Sequence, residues 1–173
     1  MGAERGDREV MYPELHGSLV VLRPLHRRYF KSYIAALSPY VRARLHLHDI
    51  SSELAYLHTC IAKMHLGQTF FYLIFDRKSD YLIGALEIRD HSNGSGQLYS
   101  WINDQYWGTG HFKEALLRVS HLYFVMTGMP FFSARVDVTN QRSHHALTKC
   151  GFAQAGIHQG PRGKQYELIL RRR

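Results

Sequence analysis

Gln105-Tyr106-Trp107-Gly108-Thr109-Gly110-His111 is the stretch whose residue types and spacing best suit chemistry. A β-rich run at 97–102 leads into it, and a helical pattern starts at once at 111. The first N–H groups of a helix have no partner inside it and sit at the positive end of its dipole. A tight glycine turn feeding such a start makes an anion site, suited to a phosphate or pyrophosphate. Gly108-Thr109-Gly110 lacks the Gly-Lys-Ser/Thr ending of a P-loop and the third glycine of a dinucleotide fingerprint. Taken alone, it reads equally well as a plain connection.

Two histidine clusters, His46-x-His48-Asp49 and His144-His145, invite a metal reading. Neither has zinc spacing with partners, and Cys60 and Cys150 stand alone, so no metal site is expected. Two cysteines fit a reducing compartment without a disulfide framework. Cys150 precedes a Gly-Phe turn on the inner side of a helix and does not read as a nucleophile.

The elements that must position these residues can be read from period and punctuation. Residues 18–23 form a strand closed by Pro24. Leu25, Phe30, Tyr33, Ile34 and Leu37 make a helical stripe stopped before Pro39. Ser51-Ser52-Glu53 opens a second helix by a hydroxyl cap, with Leu54, Leu57, Ile61 and Met64 on one face. Three strands follow at 69–75, 81–89 and 97–102, the last two joined by the hairpin loop Ser92-Asn93-Gly94-Ser95-Gly96. The strongest helix covers 111–126, with Phe112, Leu116, Val119, Leu122, Tyr123 and Met126 on one face and a Glu114/Arg118 pair at i,i+4. Phe132, Ala134, Val136 and Val138 alternate with polar residues as a half-buried strand. A short helix capped by Asn140 ends at Gly151, and strands at 152–158 and 165–171 close the chain. This is a single α+β or α/β domain with a mixed sheet, at 16–173, preceded by a poorly ordered tail at 1–15.

Composition agrees. The chain has 173 residues, 45% hydrophobic and 21% charged, which excludes disorder and fibrous repeats. The N-terminus has no apolar signal core, and the longest stretch free of charged residues, 119–134, is shorter than the ~20 residues that span a bilayer. A soluble, cytoplasmic protein with no membrane partner is expected. Within the net charge of +8, the positive charge sits in two blocks, +5 over 16–66 and +7 over 111–173, against −2 over 1–15 and −2 over 67–110. Nucleic acid and an anionic small ligand both fit that balance.

Gln105-x-x-Gly108-x-Gly110 resembles the pyrophosphate-binding motif of the GNAT family of acetyl-CoA-dependent N-acetyltransferases, and the order of elements is similar over about residues 18–171. Asn140-x-x-Ser143-x-x-Ala146-Leu147-x-Lys149-x-Gly151-Phe152 looks like the helix and Gly-Phe turn of the branch that acetylates protein N-termini, including those of ribosomal proteins. Tyr106-Trp107-Gly108 and Glu114-Ala115-Leu116 are also usual in that branch. The resemblance implies a mostly antiparallel twisted sheet flanked by helices and splayed at its two central strands. It implies acetyl-CoA as donor, CoA as product, and direct transfer without an acyl-enzyme. The cofactor would lie on Trp101, Ile102, Gln105, Gly108, Thr109, Gly110, His111, Phe112 and Asn140.

For proton handling the chain departs from the wider family, with Leu147 where many members have an acidic Tyr and Gln97 where the branch often has Glu. Ser143 is then the nearest hydroxyl to serve as acid, and Tyr99, Ser100 and Glu87 are the strand groups left to line the site or hold a water. An α-amine titrates near ~8, so little base is needed, whereas a lysine near ~10.4 needs more. The resemblance places the first two helices over the acceptor. That region carries +5 and six of the twelve histidines, so cationic acceptors such as polyamines are disfavoured and a protein N-terminus is favoured. A small-molecule amine acetyltransferase is the alternative enzyme. A non-catalytic domain that binds CoA or a ribosomal partner is the alternative to an enzyme, since Gln97 and Leu147 lack the usual proton-handling groups. Nucleic acid enters only through a ribosomal acceptor, and a homodimer is left open.

Overall fold

The structure is a computed structural model and describes residues 10–90 and 95–173. Positions 1–9 of the expected tail and 91–94, with most of the expected hairpin loop, lie outside the described residues.

One eight-stranded sheet runs through the chain. Its strands are β1 (Leu15–His16), β2 (Val20–Pro24), β3 (Thr69–Asp76), β4 (Leu82–Asp90), β5 (Gly96–Ile102), β6 (Phe131–Asp137), β7 (Ala153–Gly160) and β8 (Gly163–Arg171). They lie in the order β1-β2-β3-β4-β5-β6-β8-β7. Every neighbouring pair is antiparallel except β5 and β6, which run parallel. The helices are α1 (Phe30–Ala36), α2 (Pro39–Leu45), α3 (Ile50–His65), α4 (His111–Thr127) and α5 (Gln141–Lys149).

β3 explains why the sheet has helices on both sides. Phe70, Tyr72 and Ile74 point one way and Phe71, Leu73 and Phe75 the other, and all six are buried. The first set packs with Leu116, Val119 and Tyr123 of α4 and Leu147 of α5. The second packs with Tyr33, Val41, Leu57, Cys60 and Met64 of α1, α2 and α3.

Three local readings differ from the sequence expectation. The first helix does end before Pro39, with α1 closing at Ala36, but Pro39 also starts an unforeseen helix, α2, from its first turn, where the missing N–H costs nothing, and Ser38 caps it through Val41 N–H at 3.2 Å. Asp49, not Ser51, caps α3, accepting from Ser51 and Ser52 N–H at 3.2 and 2.8 Å. Asp49 precedes both donors and offers each its own carboxylate oxygen, Oδ1 to Ser51 and Oδ2 to Ser52. Residues 10–15 lie against the sheet: Tyr12 donates to the Thr69 carbonyl at 3.1 Å, and Tyr72 donates to that of Pro13 at 2.9 Å.

Candidate active site

The parallel pair is short. β5 and β6 are in register only at Gly96/Phe132, Gln97/Ser133 and Leu98/Ala134. Beyond that point β5 runs on to Ile102 and β6 to Asp137 without pairing, so the two strands part toward their C-terminal ends. The β6-facing edge of residues 99–102 therefore has no partner strand. Gln97, on the paired part, is buried.

The segment leaving β5 makes the anion cradle. Gly108 and Gly110 have φ of 73° and 90°. Gly110 occupies the cap position of α4 and gives no side-chain cap. Among the described residues, the N–H groups of 108–113 make no hydrogen bond. Successive free N–H groups at a positive helix end fit a diphosphate. Thr109 donates to the Tyr106 carbonyl at 2.6 Å and meets His111 Nδ1 at 2.7 Å; His111 Nε2 meets Asp76 at 3.1 Å. Phe112 is half-buried against the core, and Gln105 is exposed.

A carboxylate braces this helix from behind. Glu114 accepts from the N–H groups of Ser18, Leu19 and Val20 at 2.8, 2.7 and 3.1 Å and from the Ser18 hydroxyl at 2.8 Å. Burial pushes its carboxyl up, and these donors more than reverse that, holding it at about 2. A Cβ on Gly17 would stand 2.4 Å from this carboxylate, so only glycine allows the approach. The expected Arg118 partner is 3.8 Å away, the longest of these contacts.

The segment leaving β6 carries α5. Asn140 caps it, accepting Ser143 N–H at 3.3 Å, which leaves the amide NH2 to donate elsewhere. The Ser143 hydroxyl is half-buried and has no partner among the described residues. Leu147 is buried in the core, facing the sheet. Arg142 lays its guanidinium 3.4 Å from the centre of the Trp107 ring, and Tyr40 meets that ring edge-on at 5.0 Å. These contacts join the two segments across the open strand ends.

On the α1–α3 side, Trp101 donates its indole N–H to the Tyr33 hydroxyl at 3.3 Å, and Tyr33 donates to Glu53 at 2.9 Å. Ile102 faces the opposite core. Burial raises the Glu53 carboxyl, opposed by the Tyr33 donation and aided by the charge of Glu87. A cavity of about 290 Å³ opens beside Glu53, between Ile34, Leu37, Arg42 and His48. Glu87 is buried and fully engaged: it accepts from Tyr56, from Thr69 at 3.1 Å, from Cys60 at 3.6 Å, and pairs with Arg89 at 3.0 Å. Burial, with the Glu87 charge, pushes the Cys60 thiol up to about 12. Arg89 then stacks 3.7 Å over the half-exposed Tyr99 ring.

The structure thus brings Trp101, Ile102, Gly108–Phe112, Asn140 and Ser143 around the parted strands, and sets Tyr99 and Glu87 on the α1–α3 side of β4 and β5. Sequence reasoning missed Asp76, Tyr33 and Glu53, whose partners His111, Trp101 and Tyr33 lie 20 or more positions away, and Arg89, which pairs with Glu87 two residues before it. Among the described residues no group of three or more His, Cys, Asp or Glu could hold a metal ion, and no helix is long and apolar enough to cross a membrane.

A parted parallel pair beside an uncapped helix start defines a fold built to hold an extended anionic ligand. The Acetyltransferase (GNAT) domain family matches residues 20–153. The chain therefore belongs to the GNAT acetyltransferases, enzymes that take acetyl from acetyl-CoA and pass it to an amine. A search of the curated proteins finds no match. Among solved structures, the ribosomal-protein-S5-alanine acetyltransferase of Vibrio fischeri is 14% identical with a TM-score of 0.78, over 92% of this chain and 97% of that one. RimL, a ribosomal L7/L12 alpha-N-protein acetyltransferase solved with coenzyme A, is 13% identical with a TM-score of 0.78, over 92% and 98%. A spermidine N-acetyltransferase chimera from Vibrio cholerae and hSSAT is 19% identical with a TM-score of 0.70, over 89% and 96%. At these identities the likeness is one of fold.

Proposed function

We propose that this chain acetylates the α-amine of a protein or peptide, working in the cytoplasm. The observation that carries the acceptor class is the state of the two acids at the cavity beside α3. Asp49 is committed to capping α3, and burial pushes Glu53 toward its neutral form, while Arg42 and His48 line the same cavity. A polycation would meet one ionised acid there, Asp49, set beside Arg42 and His48, and not an acidic cluster, whereas a peptide with acidic or neutral residues after its amine would be accommodated. The similarity in fold to ribosomal-protein acetyltransferases supports the reading, and a ribosomal acceptor is the one route by which nucleic acid would come near.

Acetyl-CoA supplies an activated thioester. The free N–H groups of Gly108 to Phe112 hold its pyrophosphate, with Gln105 at the loop's start. The free edge of β5 at Trp101 and Ile102 pairs with the amides of its arm as an added strand would, and the Asn140 NH2 donates to the same arm. An N–H near Ile102 polarises the acetyl carbonyl. Ser143, whose hydroxyl is uncommitted, would donate a proton to the departing sulfur and be reprotonated by the proton that the attacking amine releases through water. A thiol near ~8.5 asks little of its acid, and an α-amine near ~8 asks little of a base. Glu87 holds Arg89, Arg89 holds Tyr99, and Tyr99 lines the path of the amine. The site would be complete in one subunit, with homodimerisation not required for it.

Free-thiol release across peptides with acidic, neutral and basic second residues, spermine and an aminoglycoside tests this. Turnover of peptides above polyamines supports it; fast turnover of spermine with none of peptides overturns it. If CoA stabilises the fold but no amine is turned over, the domain is a binding module.

A further inference from the structure

We propose that Asp76, His111 and Thr109 form a clamp that sets the pyrophosphate loop, with His111 a positioning residue that acts while its ring carries both protons. The proposal rests on the cofactor site above and adds to it a partner from the distant β3–β4 turn.

The assignment comes from counting protons. The Thr109 hydroxyl has one hydrogen, and its oxygen lies 2.6 Å from the Tyr106 carbonyl, which can only accept. That hydrogen goes to the carbonyl, so the 2.7 Å contact with His111 needs a proton on Nδ1. On the other side of the ring, Nε2 is 3.1 Å from an Asp76 oxygen. Asp76 is held ionised, lowered chiefly by the Ser79 hydroxyl, with further help from Ser79 N–H and from His111. A carboxylate only accepts, so Nε2 must also carry a proton. With Nδ1 bare, two acceptor oxygens or an oxygen and a lone pair would face each other at contact distance, and the loop would let go of the ring.

The setting gives this charge a purpose. A cation in the first turn of a helix is opposed by the dipole. His111 and Asp76 side chains are only 12% and 13% exposed, so water does little to offset that. Asp76 offsets part, and a diphosphate on the adjacent N–H groups supplies the rest. Ring charge and cofactor charge therefore favour each other, although both ring nitrogens are spent on Asp76 and Thr109 and the ring acts through the loop. Other groups nearby are committed. Tyr106 stands edge-on to the ring at 5.1 Å. Arg77 donates to the Gly17 carbonyl at 2.8 Å, Asp80 pairs with Arg23 at 2.9 Å, and Glu114 is bound to 18–20. Lys113 shares the first turn of α4 and adds a fixed positive charge.

The test is calorimetric titration of CoA into the full chain at pH 6, 7 and 8.5, comparing wild type with His111→Gln, Thr109→Val, Thr109→Ser and Asp76→Asn. Titration of CoA's own phosphate is common to all five. Wild type should lose about tenfold more affinity than His111→Gln between pH 6 and 8.5, a usual size for coupled binding. Thr109→Ser, which keeps the hydroxyl, should follow wild type, and Thr109→Val should follow His111→Gln. At pH 6, ¹⁵N spectra should show both His111 nitrogens protonated in wild type. Asp76 also closes its own turn through Ser79, so the glutamine and valine variants carry the decision if Asp76→Asn folds poorly. Parallel pH curves for wild type and His111→Gln overturn the clamp while leaving the cofactor site standing. Absence of CoA binding by wild type overturns the cofactor assignment and the clamp together.

Discussion

Replacing Glu114 by glutamine keeps the shape of the side chain and removes its charge. The carboxylate oxygens together take four donors from Ser18, Leu19 and Val20. Glutamine offers one oxygen and an NH2 that would face the remaining N–H groups. The carboxyl sits at about 2 in the fold against an ordinary 4.5. At ~1.4 kcal/mol per unit that difference amounts to about 3 kcal/mol. Water reaches the carboxylate, whose side chain is 18% exposed, and screening reduces the working figure to about 1–2 kcal/mol. Donors left without an acceptor add about 1 kcal/mol. Glu114→Gln should therefore lose about 2–3 kcal/mol at pH 7, read as a shift in urea midpoint at constant slope. The pH dependence has a definite sign. A carboxyl lowered by folding stabilises fully above its unfolded value of 4.5 and loses that stabilisation as pH falls toward 2. The gap between wild type and variant should be constant from pH 7 to 5.5 and shrink by about half of its charge-dependent part by pH 3. A gap that does not change with pH, or one below about 0.5 kcal/mol at pH 7, would refute the assignment of Glu114 as the brace of the cofactor helix.

Gly110→Ala must adopt a φ of 90° and bring its Cβ to 3.2 Å from Leu19, so it should cost about 1–2 kcal/mol and weaken CoA binding, read by thermal melts with and without CoA. Glu87→Gln leaves the half-buried Arg89 without its counter-charge and should destabilise by about 2–4 kcal/mol in urea unfolding. Ser143→Ala should lower kcat by about tenfold with KM for acetyl-CoA unchanged, since the leaving thiol needs little help; an unchanged kcat removes Ser143 from the acid role. Tyr33→Phe breaks both the Trp101 and Glu53 bonds and should cost about 1–2 kcal/mol, raising KM for the acceptor while leaving that for acetyl-CoA.

Much of this architecture is legible in the residues because local chemistry and tertiary demand coincide there. The α4 stripe places Leu116, Val119 and Tyr123 in the core, though Met126 at its end is exposed. Gly108 and Gly110 adopt the turn that their types suggest. Legibility fails where one residue serves two uses. Pro39 follows the end of α1, as its type suggests, and also begins α2 behind the Ser38 cap, a second use that the first conceals. Glu114 has an obvious partner four residues on, yet its strongest bonds go to residues more than ninety positions away. Nothing in a single sequence marks Asp76, in a polar turn, as the partner of His111. The parting of β5 and β6 rests on a three-residue register between segments 36 apart, and only the family resemblance points to it.

The three solved structures are named for acetylating a ribosomal protein's alanine, ribosomal L7/L12 and spermidine, while their TM-scores to this chain stay within 0.70–0.78. The shared frame alone therefore does not name the acceptor. In this chain one face of β5 is tied through Trp101 to Tyr33 on α1 and Glu53 on α3, and α2 with its left-handed end at His46 leads directly into the Asp49 cap. Selection by charge then depends on how Glu53 is held. Burial pushes it toward the neutral form while the Tyr33 donation opposes this, and to the extent that burial wins, the cavity offers polyamines Arg42 and His48 with Asp49 as its one charged acid. Were Glu53 ionised, the same walls would attract them. On the proposed reading, acceptor class would follow from the balance at Glu53 between burial and the Tyr33 donation, more than from the overall charge of +8.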